Sequence, residues 1–435
     1  MTRYRVGGWV RDSLLGLPPG DRDWVVVGAS PAELLARGFR PVGAEFPVFL
    51  HPTTGEHHAL ARTERKCAPG HRGFVSCSTP AVTLEEDLAR RDLTINAMAL
   101  DERGMLVDPW GGRADLAARR LRHVAPAFAE DPLRVLRVAR FAARLAPLGF
   151  RVAEDTLALM TRLTASGELA ALTPERVWME TVKALESPRP PRYFQLLRRC
   201  GALAVLFPEL AALVGVPQPL EHHPEGDVWT HALLALERAG AITPDPRIRF
   251  AALVHDLGKG CTPPDLWPRH LGHDRAGLLP LEQLCHRLAV PNDYRRLAAL
   301  AVSQHMRCHR ALEMRPGKVV RLLTDGQAWR HPELFEGLLL VSRADRLGTG
   351  RPTDCAGPDP EPFLRQAWQV GREVRAAPFL AQGLSGPAVG AALLQERIRR
   401  VARISRTREQ CRLPDPSASI LGEASPSIEL NPECP

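Results

Sequence analysis

The sequence predicts an α+β chain: a small mixed sheet with helices at the N-terminus, followed by an all-α body and a second all-α domain. Three observations predict it. Up to about residue 125, short apolar runs such as Val25-Val26-Val27 alternate with Gly and Pro punctuation, the pattern of strands in a small sheet. From about residue 150, apolar residues recur at three- and four-residue spacing, the period of amphipathic helices. The chain, at 435 residues, also exceeds one ordinary domain. The expected division is a head at 1–140, a helical neck and body at 141–226, a second helical domain at 227–350 and a helical C-terminal segment at 351–411. A disordered tail is expected at 412–435, where Pro, Ser, Glu and Asn dominate.

Composition narrows the function. A hydrophobic content of 45% supports sizeable cores, while no apolar run approaches the length of a membrane span. The N-terminus lacks the apolar core and cleavage site of a signal peptide, so a cytoplasmic protein with no membrane partner is expected. Nine cysteines without CxxC spacing argue against a disulfide framework or a zinc ribbon. The net charge of +8 is carried almost wholly by arginine, whose planar fork suits phosphate, so a polyanionic partner fits.

The elements follow in order. Tyr4-Arg5-Val6 reads as a short strand, and Gly7-Gly8 after it permits a tight turn where backbone approaches a ligand closely. A helix expected at Val10–Leu15 turns its N–H groups and Arg11 towards any phosphate on the glycines. Asp21 and Asp23 precede Trp24-Val25-Val26-Val27, and residues i and i+2 of a strand share a face. Two carboxylates aimed at one point suit a pair of hard divalent cations bridged to phosphate oxygens. A polar strand entrance explains a lone Asp-x-Asp. It does not explain one beside a Gly-Gly turn and a basic helix start.

Further strands are expected at Val25–Val27, Pro47–His51 and His57–Arg62, with a helix at Pro31–Gly38. Glu56 and Glu64 are the candidates for a third acidic ligand, its identity left open by His57 and His58 at the start of that strand. Lys66–Thr79, rich in Gly, Cys, Ser and charge, reads as a mobile loop. Thr83-Leu84-Glu85-Glu86 is a capping box opening a helix expected to run through Arg90-Arg91-Asp92 to Ala99. Its charges alone would be a solvated face; beside a metal–phosphate site they become contacts to triphosphate and sugar.

Asp131-Pro132 fits an N-cap and first helical position. The arginines that follow, at 134, 137, 140 and 144, line one helical face, a nucleotide wall beside a phosphate site. Helices are then expected at Thr156–Thr164, Pro174–Glu186 and Pro191–Cys200. A second chemical region begins near 228. His231 lies on an expected helix at Trp229–Ala239, and a buried run ends in His255-Asp256. These three, with Asp345, make a mixed imidazole–carboxylate set suited to Ni, Mn, Co or Mg rather than structural zinc. His270, His273, His305 and His309 are further candidates near the same cleft.

Taken together, Gly-Gly-x-Val-Arg-Asp with Asp21-x-Asp23, Arg90-Arg91-Asp-Leu-Thr-Ile-Asn-Ala and Glu130-Asp131-Pro-Leu-Arg134 resemble the motifs of bacterial tRNA nucleotidyltransferases, the CCA-adding enzymes. The His255-Asp256 region is similar to the long form with an HD phosphohydrolase domain, the multifunctional CCA proteins. The likeness covers about residues 1–380. It implies a nucleotidyltransferase-type head, an all-α tRNA-binding body and an all-α HD domain, in a monomer or homodimer. It also implies that Asp21 and Asp23 are catalytic and hold Mg²⁺, while Gly8 and Arg11 bind triphosphate. Arg91, Arg137 and Arg140 would contact the nucleotide, Asp92 would read the ribose, and Asp131 with Arg134 would act as an amino-acid template for CTP and then ATP. The tRNA 3′-hydroxyl would attack the α-phosphate in line.

The HD domain, holding Ni²⁺ or another divalent transition metal, would supply 2′,3′-cyclic phosphodiesterase, 2′-nucleotidase and phosphatase activities. A poly(A) polymerase shares the head motifs, but the acidic C-terminus and the HD region weigh against it. An HD hydrolase with an inactive head is the other rival, and the intact Asp21 and Asp23 weigh against that.

Overall fold

The computed structural model describes residues 1–42, 48–66, 74–350 and 358–410. Among them the first nine strands are β1 (Thr2–Val6), β2 (Asp23–Val27), β3 (Arg40–Val42), β4 (Val48–Leu50), β5 (His57–Leu60), β6 (Thr63–Lys66), β7 (Phe74–Cys77), β8 (Ala99–Leu100) and β9 (Leu106–Val107). Seven of these form one mixed sheet in the order β3-β4-β5-β2-β1-β8-β9. The central strand β2 runs antiparallel to β1 and parallel to β5. Register positions the site: Val6 at the end of β1 faces Asp23 at the start of β2, and Asp23 faces His57. The Gly7-Gly8 turn therefore leaves the sheet beside Asp23.

The sequence expectation is revised in three places. The strand begins at Asp23, so Asp21 sits in the approach, and the shared-face argument holds for one carboxylate only. The stretch expected as a mobile loop at 66–79 contains β7, which pairs antiparallel with β6 just before it in the register Thr63↔Cys77 to Lys66↔Phe74; residues 67–73 lie outside the described residues. The helix opened by Thr83 stops at Ala89 instead of continuing to Ala99. Leu93 turns extended and a single 3₁₀ turn follows at Thr94–Asn96. Asp92 explains the break, because its side chain accepts from the Leu93 N–H (2.8 Å) and the Asn96 amide (2.8 Å), a local alternative to helix bonds.

Beyond the head, the helices at Leu133–Leu145, Glu154–Ala165, Pro174–Leu185, Pro191–Arg199, Val228–Ile242, Pro246–Val254, Asn292–His309 and Pro332–Leu347 share one continuous core. Leu136, Phe194, Trp229, Phe250, Leu297 and Val341 all belong to it. Trp178 meets both Phe250 and Tyr294 edge-on, at 5.3 and 5.1 Å, a favoured aromatic geometry. This compact unit comprises Met1–His309 and Glu333–Asp359. A second unit combines Arg310–Pro332 with the chain from Pro360. There the Arg397 guanidinium stacks 4.1 Å from the Trp329 ring, and the Trp368 indole donates to the Ala328 carbonyl. The tail expected to be disordered, 412–435, lies outside the described residues. Among the described residues no helix is long and apolar enough to cross a membrane.

Candidate functional site

Two side-chain clusters carry chemistry. The first surrounds a cavity of about 520 Å³ in the head. Gly8, Arg11, Asp23, Arg91, Asp92, Asp131, Arg134, Arg137 and Arg140 all line it; Asp21 does not. Among the described residues nine arginines face three carboxylates there, Asp23, Asp92 and Asp131. Such an excess of forked cations suits a triphosphate.

Local structure fixes these groups. Gly7 adopts φ +69°, and a Cβ there would lie 3.0 Å from the Arg91 guanidinium, so this turn needs glycine. The break after Ala89 places Arg90 and Arg91 on the cavity, and both pair with buried Asp87, at 2.8 and 3.3 Å. Arg11, 2% exposed, is held by Asp12 (2.8 Å) and the Asn96 side chain (2.5 Å) and sits over Phe141. Burial opposes ionisation of Asp92, yet Arg137 at 2.8 Å and the Asn96 and Leu93 N–H donors hold its pKa at about 2. Asp92 is thus a fixed anion. Arg140 pairs with Glu180 at 2.6 Å, and Arg144 with Asp12 at 2.7 Å.

The residues expected to read the base are engaged within the protein. Arg134 donates to the carbonyls of Ala127 (2.5 Å) and Arg90 (2.6 Å). Asp131 accepts from the Leu133 N–H (3.0 Å) and from Arg176 (2.9 Å). The helix starts at Leu133, one residue later than Asp131-Pro132 predicts, and Asp131 still caps it through its side chain.

Asp23 is exposed, but the protein crowding its carboxylate lifts its pKa, with Asp21 adding to the rise and His57 and Arg91 opposing it. Asp23 on the cavity and Asp21 in the approach to its strand are exposed carboxylates that repel each other, an all-oxygen pair of a kind that suits Mg²⁺. Glu56 is directed elsewhere, bonding the Trp24 indole (3.0 Å) and Arg22 (3.3 Å). The side chain of Glu64 lies outside the described residues.

The second cluster is buried. Val228–Ile242 brings His231, the end of Pro246–Val254 brings His255 and Asp256, and Pro332–Leu347 brings Asp345. The His231 and His255 Nε2 atoms lie 3.0 and 3.5 Å from Asp345 Oδ1, and 3.8 and 3.3 Å from Asp256 Oδ2. A tetrahedral ion with bonds near 2.1 Å spaces its donors by about 3.4 Å; the donor atoms of His231, His255 and Asp256 lie close enough to share one ion, with Asp345 Oδ1 beside both imidazoles. Among the described residues His255 Nε2 and both Asp256 oxygens are buried without a hydrogen-bond partner, although Lys259 Nζ is 2.7 Å from Oδ2. Burial would lower the His255 pKa, but Asp256 and Asp345 outweigh it and raise it to about 10. The carboxylates call for positive charge.

His305 and His273 stand on the far side of Asp256, each 3.4 Å from Oδ1, and His309 is 2.6 Å from Asp345 Oδ2. His270 is turned away, bonded to Thr262 and the Pro217 carbonyl. Glu225, Lys259, Arg62, Asn96, Phe141 and Arg176 were not singled out by sequence reasoning. Glu225 receives His231 Nδ1 at 2.8 Å, which leaves Nε2 for an ion. Burial opposes its ionisation, yet the bonds from His223 and His231 hold it at about 2. Its only sequence signal is its place six residues before His231.

Family models match three stretches of the chain: a poly A polymerase head domain over residues 3–122, a probable RNA- and SrmB-binding site of polymerase A over 149–213, and an HD domain over 228–350. The multifunctional CCA protein of Methylococcus capsulatus is 55% identical over 421 residues, 96% of this chain and 99% of its own length. That of Thioalkalivibrio sulfidiphilus is 56% identical over 398 residues, 92% of this chain and 97% of its own. Among solved structures, an apo CCA-adding enzyme superposes with a TM-score of 0.63 at 20% identity, over 95% of this chain and 92% of that one. The Thermotoga maritima CCA-adding enzyme complexed with tRNA gives 0.58 at 20% identity, over 94% and 91%.

Proposed function

Since the chain belongs to the multifunctional CCA proteins, we propose that it completes and repairs the 3′-terminal CCA of tRNA from CTP and ATP, without a nucleic-acid template. The observation that carries this reading is the arginine-lined cavity, which gathers Gly8, Asp23, Arg91 and Arg137 from separate parts of the sequence. Arg11, Arg91, Arg137 and Arg140 bind the triphosphate and orient it. Asp92, fixed by Arg137 and Asn96, accepts from the ribose. Asp131 and Arg134 present donors and acceptors to the base edge once their internal bonds are exchanged for the nucleotide. Asp21 and Asp23 would hold Mg²⁺, which supplies activation of the 3′-hydroxyl and charge stabilisation on the pyrophosphate.

The body offers a surface for the tRNA. A groove of about 970 Å³ is lined by Arg189, Arg192, Arg198 and Arg199, with Glu237 paired to Arg189, a net cationic surface that suits an RNA backbone. A CCA-adding enzyme of like fold is known in complex with tRNA, and others with CTP and with ATP. The buried cluster of His231, His255, Asp256 and Asp345 is the proposed site for hydrolysis of phosphomonoesters and 2′,3′-cyclic phosphates, with Ni²⁺ or a similar ion.

The test offers purified protein a tRNA that ends before CCA, with labelled CTP and ATP separately and together. CTP alone should add cytidines, and adenosine should follow only on ends so extended. A run of adenosines from ATP alone would instead identify a poly(A) polymerase, whose head model this chain matches. No addition from either nucleotide would leave an HD hydrolase with an inactive head.

A further inference from the structure

Outside the cavity, the same end of the head sheet carries a column of arginines and tryptophans. Arg5 faces Trp24 across the pairing of β1 with β2, so both stand on one face of the sheet, with Arg3 two residues back on that face. Asp23 precedes Trp24 in the chain and so turns to the opposite face. It lines the cavity, which Arg3, Arg5 and Trp24 do not. After the Gly7-Gly8 turn, Trp9 comes back over the column. The Arg5 guanidinium lies 4.8 Å from the Trp9 ring and 5.7 Å from that of Trp24, and the Arg22 guanidinium lies 5.6 Å from Trp9.

These guanidiniums are not equally neutralised. Arg3 is paired with Glu102 at 2.6 Å, and Arg22 keeps one contact to Glu56 at 3.3 Å while its side chain is 55% exposed. Arg5 is half-buried and has neither a carboxylate nor a hydrogen-bond acceptor among the described residues; its Nε is buried without one. The Trp9 and Trp24 rings hold its charge in place through their π-faces, but they offer no oxygen. A guanidinium N–H left without an acceptor is costly. An arriving phosphate oxygen would give Arg5 the acceptor that the protein withholds.

We propose that Arg5 and Arg22, held over Trp9, bind the phosphodiester backbone of the tRNA acceptor strand behind its 3′ end. The inference rests on the reading of the cavity as the site of nucleotide addition. Gly8 and Asp23 line that cavity, and Trp9 and Arg22 are their chain neighbours. A strand whose 3′-hydroxyl reaches Asp23 can lay its preceding phosphates against these side chains. The incoming nucleotide does not compete for them, because its triphosphate lies among the cavity arginines on the other face. Arginine suits the task, since its fork meets two phosphate oxygens while its plane stacks on an indole. Such a column grips a single strand by its backbone without reading its bases. A primer whose end changes with each addition requires that indifference.

The test measures binding of the full chain to a tRNA that ends before CCA, over a series of salt concentrations and without CTP or ATP. Arg5→Gln should weaken binding about tenfold, and Arg22→Gln, already engaged by Glu56, about threefold. Each should lower the slope of log Kd against log salt by about 0.7, the loss of one phosphate contact. Arg5→Lys should restore the slope but only part of the affinity. The KM for CTP at saturating tRNA should hold in all three. Thermal unfolding identifies the folded variants, and the exposed Arg22→Gln carries the test if Arg5→Gln does not fold. Unchanged affinity and slope in the folded glutamine variants overturn the proposal. A raised KM for CTP with tRNA binding intact also overturns it, by assigning the arginines to the nucleotide. So does relief of pyrophosphate inhibition with tRNA binding intact, by assigning them to the released product. Because binding is read without nucleotide, a wild type that adds none yet shows these losses overturns the proposed reaction and leaves the strand site standing. A wild type that binds no tRNA overturns both.

Discussion

The two clusters share one hydrophobic core, yet they are built in opposite ways. In the head Asp21 and Asp23, the candidate ion ligands, are exposed and the cavity beside Asp23 is lined by arginines; in the second site Asp256 and Asp345 are 1% and 5% exposed and histidines surround them. An open cavity rich in arginine recruits a polyanion and any hard cation that travels with it. A closed imidazole–carboxylate cage holds an ion of its own. On the proposed reading, similar residues, Asp and a basic partner, would serve a passing ligand or a resident ion according to burial and to whether the partner keeps a lone pair.

The largest expected effects are reciprocal. Asp23→Ala should remove several kcal/mol of metal-based charge stabilisation, on the order of a thousandfold in nucleotide addition, and spare phosphate-ester hydrolysis. Asp21→Ala should do the same if it completes the ion site from outside the cavity lining. His255→Ala and Asp345→Ala should abolish hydrolysis and spare addition. Measuring both reactions on each folded variant breaks the comparison if any one substitution removes both.

Arg134→Ala sharpens the picture of the head. If its guanidinium exchanges the Ala127 and Arg90 carbonyls for a base edge, the preference for CTP over UTP should fall. A charge-assisted hydrogen bond is worth roughly 1.5–3 kcal/mol, about ten- to a hundredfold in kcat/KM ratio. A uniform loss for every nucleotide would assign Arg134 to holding the Arg90 carbonyl. Glu225→Gln makes the corresponding test in the closed site. It keeps the shape but weakens the orientation of His231, so metal affinity should drop about ten- to a hundredfold, read by competition with a chelator. An unchanged affinity would reduce Glu225 to a packing role.

Much of both sites was legible because their chemistry is local or periodic. The Gly7-Gly8 turn, Asp23, the His255-Asp256 pair and the arginines at 134, 137, 140 and 144 need only neighbours or one helical face to be read, whereas the pairing of Asp21 with Asp23 on one strand face was not realised. The break after Ala89 was not legible. Helix propensity runs on through Arg90 and Arg91, and the competing bonds that the Asp92 carboxylate accepts from Leu93 and Asn96 are local but leave no periodic signature that separates them from a helical face. The β6–β7 pair was hidden by a composition that reads as loop. Arg176 and Glu225 carry no motif, since their partners Asp131 and His231 are chosen by tertiary packing.

The smallest effect separates fixed charge from recruited charge. Asp92 has its pKa depressed to about 2 in the folded chain, against about 3.9 in an unfolded one. A depressed carboxylate stabilises the fold above its unfolded pKa and loses that contribution as pH falls towards the folded value. The difference corresponds to on the order of 2 kcal/mol, present near pH 5 and fading towards pH 2. Asp92→Asn removes this linkage while keeping the size of the side chain, although Arg137 then loses its partner at 2.8 Å. The wild type should therefore melt a few degrees above Asp92→Asn at pH 5, and the gap should narrow steadily as the solution is acidified. Nucleotide should widen the gap at pH 5 if Asp92 also binds the ribose. A gap that stays constant with pH would mean that Asp92 is ordinary in its ionisation, and that the order of this pocket comes from Asn96 and the backbone alone.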